Sequence, residues 1–214
     1  MSPATHHDHT RIAVLDELLN ERYSVRAFKP DPVPRDTIEH VLRTAQRTAS
    51  WCNSQPWQVV VVSGEAKETF RKLIYAEAAS GAKDDHDFPA PREYLGVYLA
   101  RRRESGFQLY NTLGIARGDK AAYAKQALEN YNFFGAPHVA IIHTDEALGV
   151  YGAVDCGGYV NNFMLAAQAL GLGTIPQAAL ARHSGLIRKH FKLGDDRRVV
   201  CGISFGYADH AHKV

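Results

Sequence analysis

Arg22-Tyr23-Ser24-Val25-Arg26-Ala27-Phe28 is the stretch on which the reading of this chain turns. It lies between an apolar helical pattern (Ile12, Leu15, Leu18, Leu19) and the breakers Pro30, Pro32 and Pro34. It therefore reads as a short extended segment. In extended backbone, alternate side chains share a face. Arg22, Ser24 and Arg26 then point one way, and Tyr23 and Val25 the other. Two guanidiniums and a hydroxyl on one face suit a phosphate and its polar neighbours. Arginine brings charge with a planar donor fork, and the hydroxyl adds a short hydrogen bond. A solvated edge strand would show the same spacing, so the segment alone does not decide.

Working outward, a helix is expected from about Pro34 at its first turn, with the stripe Ile38, Val41, Leu42 and Ala45. The polar loop Ala49-Ser50-Trp51-Cys52-Asn53-Ser54-Gln55-Pro56-Trp57 follows, then a β-branched strand, Val59 to Val62, closed by Gly64. Loops held between rigid elements collect ligand contacts. Asn53 and Gln55 can donate and accept at once, as the polar edge of a heteroaromatic ring requires, and Trp51 can cover an apolar face. A turn beside a core tryptophan is the competing account of this loop.

Phe70, Leu73 and Ile74 mark another helix. Between about residues 81 and 132 the pattern loosens around Pro89, Pro91 and the run Arg101, Arg102, Arg103, which suggests a partly helical insertion. Val139 to His143 reads as a strand. The longest helical pattern is Cys156, Tyr159, Val160, Phe163, Met164, Ala167 and Leu170, ended by Gly171 and Gly173. Leu186, Ile187 and Phe191 mark a shorter helix, and Val199 to Phe205 the last strand. Strands separated by helices of unequal length, with few hairpin signals, imply an α+β layer architecture.

The 214 residues suffice for one domain with a real core. A net charge of +2 gives no reason to expect a nucleic acid or membrane surface as partner. No apolar run approaches the roughly 20 residues of a membrane span. Residues 1–10 are polar and His-rich, without the apolar core of a secretory signal, and read as a mobile leader. Cys52, Cys156 and Cys201 are odd in number and far apart. They imply no disulfide framework or paired-cysteine metal site, so a cytoplasmic location and no metal are expected.

Taken together, these pieces resemble the nitroreductase family. The matching residues are Arg22 to Phe28, the loop Asn53-Ser54-Gln55-Pro56-Trp57, Gly171-Leu172-Gly173-Thr174-Ile175-Pro176-Gln177 after the long helix, and Gly206-Tyr207 after the last strand. The likeness spans about Arg11 to Asp209. The middle segment, with Tyr98 to Arg103 and Leu113 to Lys120, is most similar to the nitrobenzoate-reductase branch. The resemblance implies an α+β fold with a central mixed, mainly antiparallel sheet flanked by helices. It also implies a domain-swapped homodimer with FMN at the subunit interface. Arg22, Tyr23, Ser24 and Arg26 match residues that hold the flavin from one subunit. Ala49, Ser50, Trp51 and Asn53 match those reaching it from the other, and Pro176, Gln177, Ala178 and Ala179 match those along the ring. The family usually carries a cation some residues past the Gly-Tyr pair, where this sequence has His210, His212 and Lys213. Acidic or glycine residues are frequent in the family where Ala178 and Ala179 stand.

The expected activity is ping-pong transfer of hydride from NAD(P)H, through flavin N5, to a small electron-poor acceptor such as a nitroaromatic or quinone. Arg26 would stabilise the reduced, anionic flavin, and no protein acid or base is required. The insertion, with Tyr94, Tyr98, Phe107 and Tyr110, is the expected lid, and its arginines would favour a carboxylated aromatic. Reductive dehalogenation or flavin fragmentation on the same fold, or non-catalytic flavin storage, are the alternatives. Gly202-Ile203-Ser204-Phe205-Gly206 matches a serine-hydrolase pattern, but too little chain follows for the acid and histidine, so a strand of small residues is expected there.

Overall fold

The β-branched run after the polar loop does become a strand, and it is the outer member of a four-stranded sheet. In chain order the elements are α1 (His9–Glu21), α2 (Arg35–Ala45), β1 (Gln58–Ser63), α3 (Gly64–Ala79), α4 (Gly96–Thr112), α5 (Lys120–Leu128), β2 (His138–Asp145), α6 (Gly149–Ala169), β3 (Gly173–Gln177), α7 (Ser184–Phe191) and β4 (Arg197–Gly206). The computed structural model describes residues 9–212. The sheet order is β1-β2-β4-β3, with each neighbouring pair antiparallel. Among the described residues, the parallel part of the expected mixed sheet is one isolated bridge, Ser24 to Thr174.

Successive residues of a strand face opposite sides, and both sides of this sheet are covered. Val139 and Ile141 of β2 pack with Phe70 and Ile74 of α3 and Ile187 of α7. Ala140 and Ile142 pack with Val41 of α2 and with Tyr159 and Phe163 of α6. A strand buried on both faces needs an unbroken apolar run, which accounts for Val139 to Ile142. Phe163 is fully buried with its ring edge on Phe205, 5.4 Å between centroids. Burying such a side chain stabilises the fold by about 1.5–3 kcal/mol.

Several boundaries differ from expectation. Pro34 caps α2 from outside, and Arg35 is the first helical residue. Gly64 opens α3 rather than closing a strand. His9 and Thr10, assigned to the leader, already belong to α1, and residues 1–8 lie outside the described residues. The loosened middle stretch has two characters. Its first part is pinned to the body: Arg182 Nε donates to Asp84 at 2.9 Å, Gly185 N to Asp85 at 2.7 Å and Val199 N to Asp87 at 2.7 Å, while Arg188 pairs with Asp87. Its second part, α4, has no buried residue.

Three buried histidines set an acid limit on this core. His138, His143 and His183 are each at most 4% exposed. Burial pulls each below its ordinary 6.5, helped at His138 by Lys67 and at His143 by Arg197. The Val33 N–H donates to His138 Nε2 at 2.8 Å, which also requires the neutral ring. A depressed native pKa means that below about 6.5 the unfolded chain takes protons the native chain refuses. Their contribution to stability is therefore constant above pH 7 and falls as pH drops through 6.5 toward 5. Urea titration at pH 7.5 and 5.5 should give the lower midpoint at 5.5. An equal or higher midpoint at 5.5 contradicts this account.

Candidate functional site

Segment 22–28 is held from both sides. The Val25 N–H donates to the Thr174 carbonyl at 3.0 Å. Further on, Lys29 N donates to Tyr207 O at 2.9 Å and Asp209 N to Ala27 O at 3.0 Å. The fit depends on Gly173, since a Cβ there would stand 2.7 Å from Val25 Cγ2. Val25 is thereby buried against the sheet edge, and Ser24 and Arg26 face the other way into a cleft of about 510 Å³. Tyr23 lines the same cleft, against the expected alternation. Strand pairing in this segment is limited to isolated bridges at Ser24 and Phe28, so a two-residue period is not enforced between them. Arg22 is half-buried at the end of α1 and is not on the cleft wall.

Arg26 carries the electrostatics of the cleft. Its Nη1 donates to the Ser24 carbonyl at 3.1 Å. Burial lowers its pKa from the ordinary 12.5, and among the described residues no carboxylate pairs with it. A guanidinium keeps its charge under such conditions. A desolvated cation without a counter-ion fits an anionic group, and the Ser24 hydroxyl beside it adds a donor. His210 and His212 line the cleft near them, and Lys213 lies outside the described residues. The far wall is one face of α4: Ser105, Gly106, Gln108, Leu109 and Thr112.

The second element is the loop from Ala49 to Gln55. Cys52, Asn53 and Gln55 all have left-handed backbone, φ 50°, 55° and 47°. Such conformations cost on the order of 1 kcal/mol each and persist only where the surroundings impose them. Here Trp51 N donates to Asp155 of α6 at 3.0 Å, Gln55 N to the Ser50 hydroxyl at 2.9 Å and Asn53 N to Ser50 O at 3.0 Å. Trp51 is 63% exposed and its ring lies 4.9 Å from that of Tyr151. Ala49 and Asn53 are exposed and Ser50 is half-buried.

The remaining expected residues are placed unevenly. Gln177 is buried, its Nε2 donating to Asn130 O at 2.7 Å while its Oε1 accepts from Ser204. Its side chain is committed to the interior; Pro176 and Ala179 are half-buried and Ala178 is exposed, and none of the four lines the cleft beside Arg26. Of the expected lid residues, Tyr94 lies under Arg102, Phe107 under Arg117, Tyr110 stacks on Tyr123 and Tyr98 is exposed. α4 reaches the cleft instead through Ser105, Gly106, Gln108, Leu109 and Thr112, a face without aromatic residues. Ser204 is buried within β4, as a strand residue. Burial pushes the Cys156 and Cys201 thiols up to about 12, so neither is a ready nucleophile. Among the described residues no three metal-ligating side chains converge and no helix is long and apolar enough to cross a membrane. A larger cleft of about 860 Å³, beside Lys67 and His138, contains none of the expected residues.

Comparison with known proteins bears on this arrangement. The model of the Nitroreductase family matches residues 19–207. The chain is 38% identical to nitroreductase NfnB of Mycolicibacterium smegmatis over 93% of this chain and 85% of that one. It is 34% identical to a 4-nitrobenzoate reductase of Pseudomonas putida over 93% and 87%. Among solved structures, FMN-dependent NfnB from Mycobacterium smegmatis, in complex with NADPH, superposes with a TM-score of 0.90 at 35% identity over 95% of this chain and 91% of that one.

The bond from Trp51 N to Asp155 yields a direct check on what holds the strained loop. Asp155→Ala should leave global stability within about 1 kcal/mol, because the bond is at the surface. It should speed amide hydrogen exchange at residues 50–55 several-fold. Unchanged exchange would mean that other contacts impose the loop.

Proposed function

Because the chain belongs to the nitroreductase family, we propose that it is an FMN-dependent oxidoreductase passing electrons from NAD(P)H to a small nitroaromatic or similarly electron-poor acceptor. The observation that carries this reading is Arg26: a half-buried cation with no counter-ion, beside Ser24, in a cleft built by the family-like segment. FMN supplies the two-electron chemistry when bound. The protein's part is to hold, orient and exclude water.

Ser24 and Arg26 hold the anionic and polar side of the flavin, with Tyr23 on the same wall, while Arg22, off that wall, takes no assigned contact. The segment from Pro176 to Ala179 supports the ring through its backbone. Ala49, Ser50, Trp51 and Asn53 serve the partner's site in a homodimer. Exposed apolar surface supports that assembly: Ile12, Leu15 and Leu19 on α1, Val150, Tyr151 and Val154 on α6, and Leu95, Val97 and Tyr98 around the start of α4. Contiguous apolar faces of this kind mark interfaces. Turnover alternates, NAD(P)H and acceptor occupying one ring-sized space in turn. The protein acts in the cytoplasm.

Two measurements test the reading. The protein should be yellow, or become so with FMN, and anaerobic NADPH should bleach it. Arg26→Ala should weaken FMN binding about tenfold, the equivalent of about 1.4 kcal/mol. A protein that takes up no FMN overturns the proposal. α4 carries Arg101, Arg102 and Arg103 beside its cleft-lining face, and we assign them the preference for a carboxylated aromatic. Replacing all three by Gln should lower kcat/KM for a carboxylated nitroaromatic at least fivefold relative to a neutral one. An unchanged ratio removes that assignment.

A further inference from the structure

We propose that Gln46 and Gln55 are positioning residues that, with Trp57, fix which end of the Asn53 amide is presented to the flavin. The inference rests on the flavin reading above.

An indole N–H has no lone pair with which to accept. Trp57 is 5% exposed and stacked on Tyr159 at 5.2 Å, so its Nε1 is held in place. It donates to Gln46 Oε1 at 2.9 Å. With its carbonyl end so committed, Gln46 turns Nε2 outward and donates to Gln55 Oε1 at 2.8 Å. Gln55 Nε2 in turn donates to Asn53 Oδ1 at 2.9 Å. Three amides are thus aligned head to tail, and the end of the row is Asn53 Nδ2. A row begun by an acceptor would end on Oδ1 instead.

An asparagine is otherwise two-faced, able to offer an oxygen or an NH2 group in nearly the same shape. The relay makes Asn53 a donor, matched to a carbonyl oxygen or unprotonated ring nitrogen and mismatched to a ring N–H. The left-handed backbone at Asn53 and Gln55 places both side chains in the row. Gln46 and Gln55 are exposed on a single protomer, where water competes for every amide and the direction of the row matters little. Covered by the partner and the ring, a reversed amide would face acceptor to acceptor with no water to relieve it. The relay therefore acts on flavin binding and not on the fold of the free chain.

Gln46→Glu and Gln46→Met separate these roles. A carboxylate at 46 accepts from Trp57 and also from Gln55 Nε2, which turns Gln55 round and presents Asn53 Oδ1 to the flavin. Methionine breaks the row without imposing a direction. Gln55→Glu, which cannot donate to Asn53 Oδ1, should reproduce Gln46→Glu. The dimer is stripped of FMN, and the Kd for FMN and the thermal midpoint of the FMN-free protein are measured for wild type and the three variants. Expected are a Kd raised about threefold in Gln46→Met and tenfold or more in both glutamate variants, with thermal midpoints close to wild type in the glutamate variants and lower in Gln46→Met, which leaves the Trp57 N–H without its acceptor. The relay is overturned if all variants bind as wild type does, or if Gln46→Glu binds no more weakly than Gln46→Met. A wild type that takes up no FMN overturns the flavin reading and the relay together, whereas a binding wild type with flat variants overturns the relay alone.

Discussion

The seating of Val25 over Gly173 is the constraint from which the rest of the site follows. β3 has one hydrogen-bonded neighbour strand, β4, so its other edge is open. Segment 22–28 closes that edge with a backbone bond to Thr174 and a buried valine, and it can approach so closely only because residue 173 has no side chain. An open edge is a hazard for any sheet. Here its closure also turns Ser24 and Arg26 outward. Burying one residue of an extended segment and exposing its neighbours is the same act, so the sheet edge and the cleft are built by one docking event.

The cleft and the loop use two different kinds of preorganisation. At Arg26 it is electrostatic: partial burial with no paired carboxylate among the described residues leaves the charge undersatisfied. At Ala49 to Gln55 it is conformational: three left-handed residues are kept in place by the Asp155 carboxylate, the Ser50 hydroxyl and a row of side-chain amides. Neither is needed to complete the core, whose aromatic and branched residues pack elsewhere. Local expense of this sort is typical of residues kept for something other than stability.

Much of this was legible from residue order. β2 and α6 announce themselves because a strand buried on both faces is continuously apolar and a long helix repeats its stripe many times. β3 did not: Gly173-Thr174-Ile175-Pro176-Gln177 is short, and its proline argues against a strand. Pro176 is tolerated because β3 lies at the sheet margin. The polar loop between α2 and β1 was legible as a loop, but its internal bonding was not. Gln46 belongs to the end of α2, and only the folded chain brings it to Gln55. Likewise Ser105, Gln108 and Thr112 carry no chemical signal until α4 is laid beside Ser24. Gln177 shows the reverse case, a residue conspicuous in the sequence whose amide is spent inside the protein.

α4 has a consequence of its own. It is 17 residues long and buries none of them. A helix of that length in water sits near the balance point between order and coil, because nucleation entropy is offset by few hydrogen bonds. Whatever covers this helix therefore supplies much of the free energy that winds it. In the proposed homodimer, dilution would not merely separate subunits that stay folded; it would lower the helical content of the chain, and the wall of the cleft would melt with the assembly.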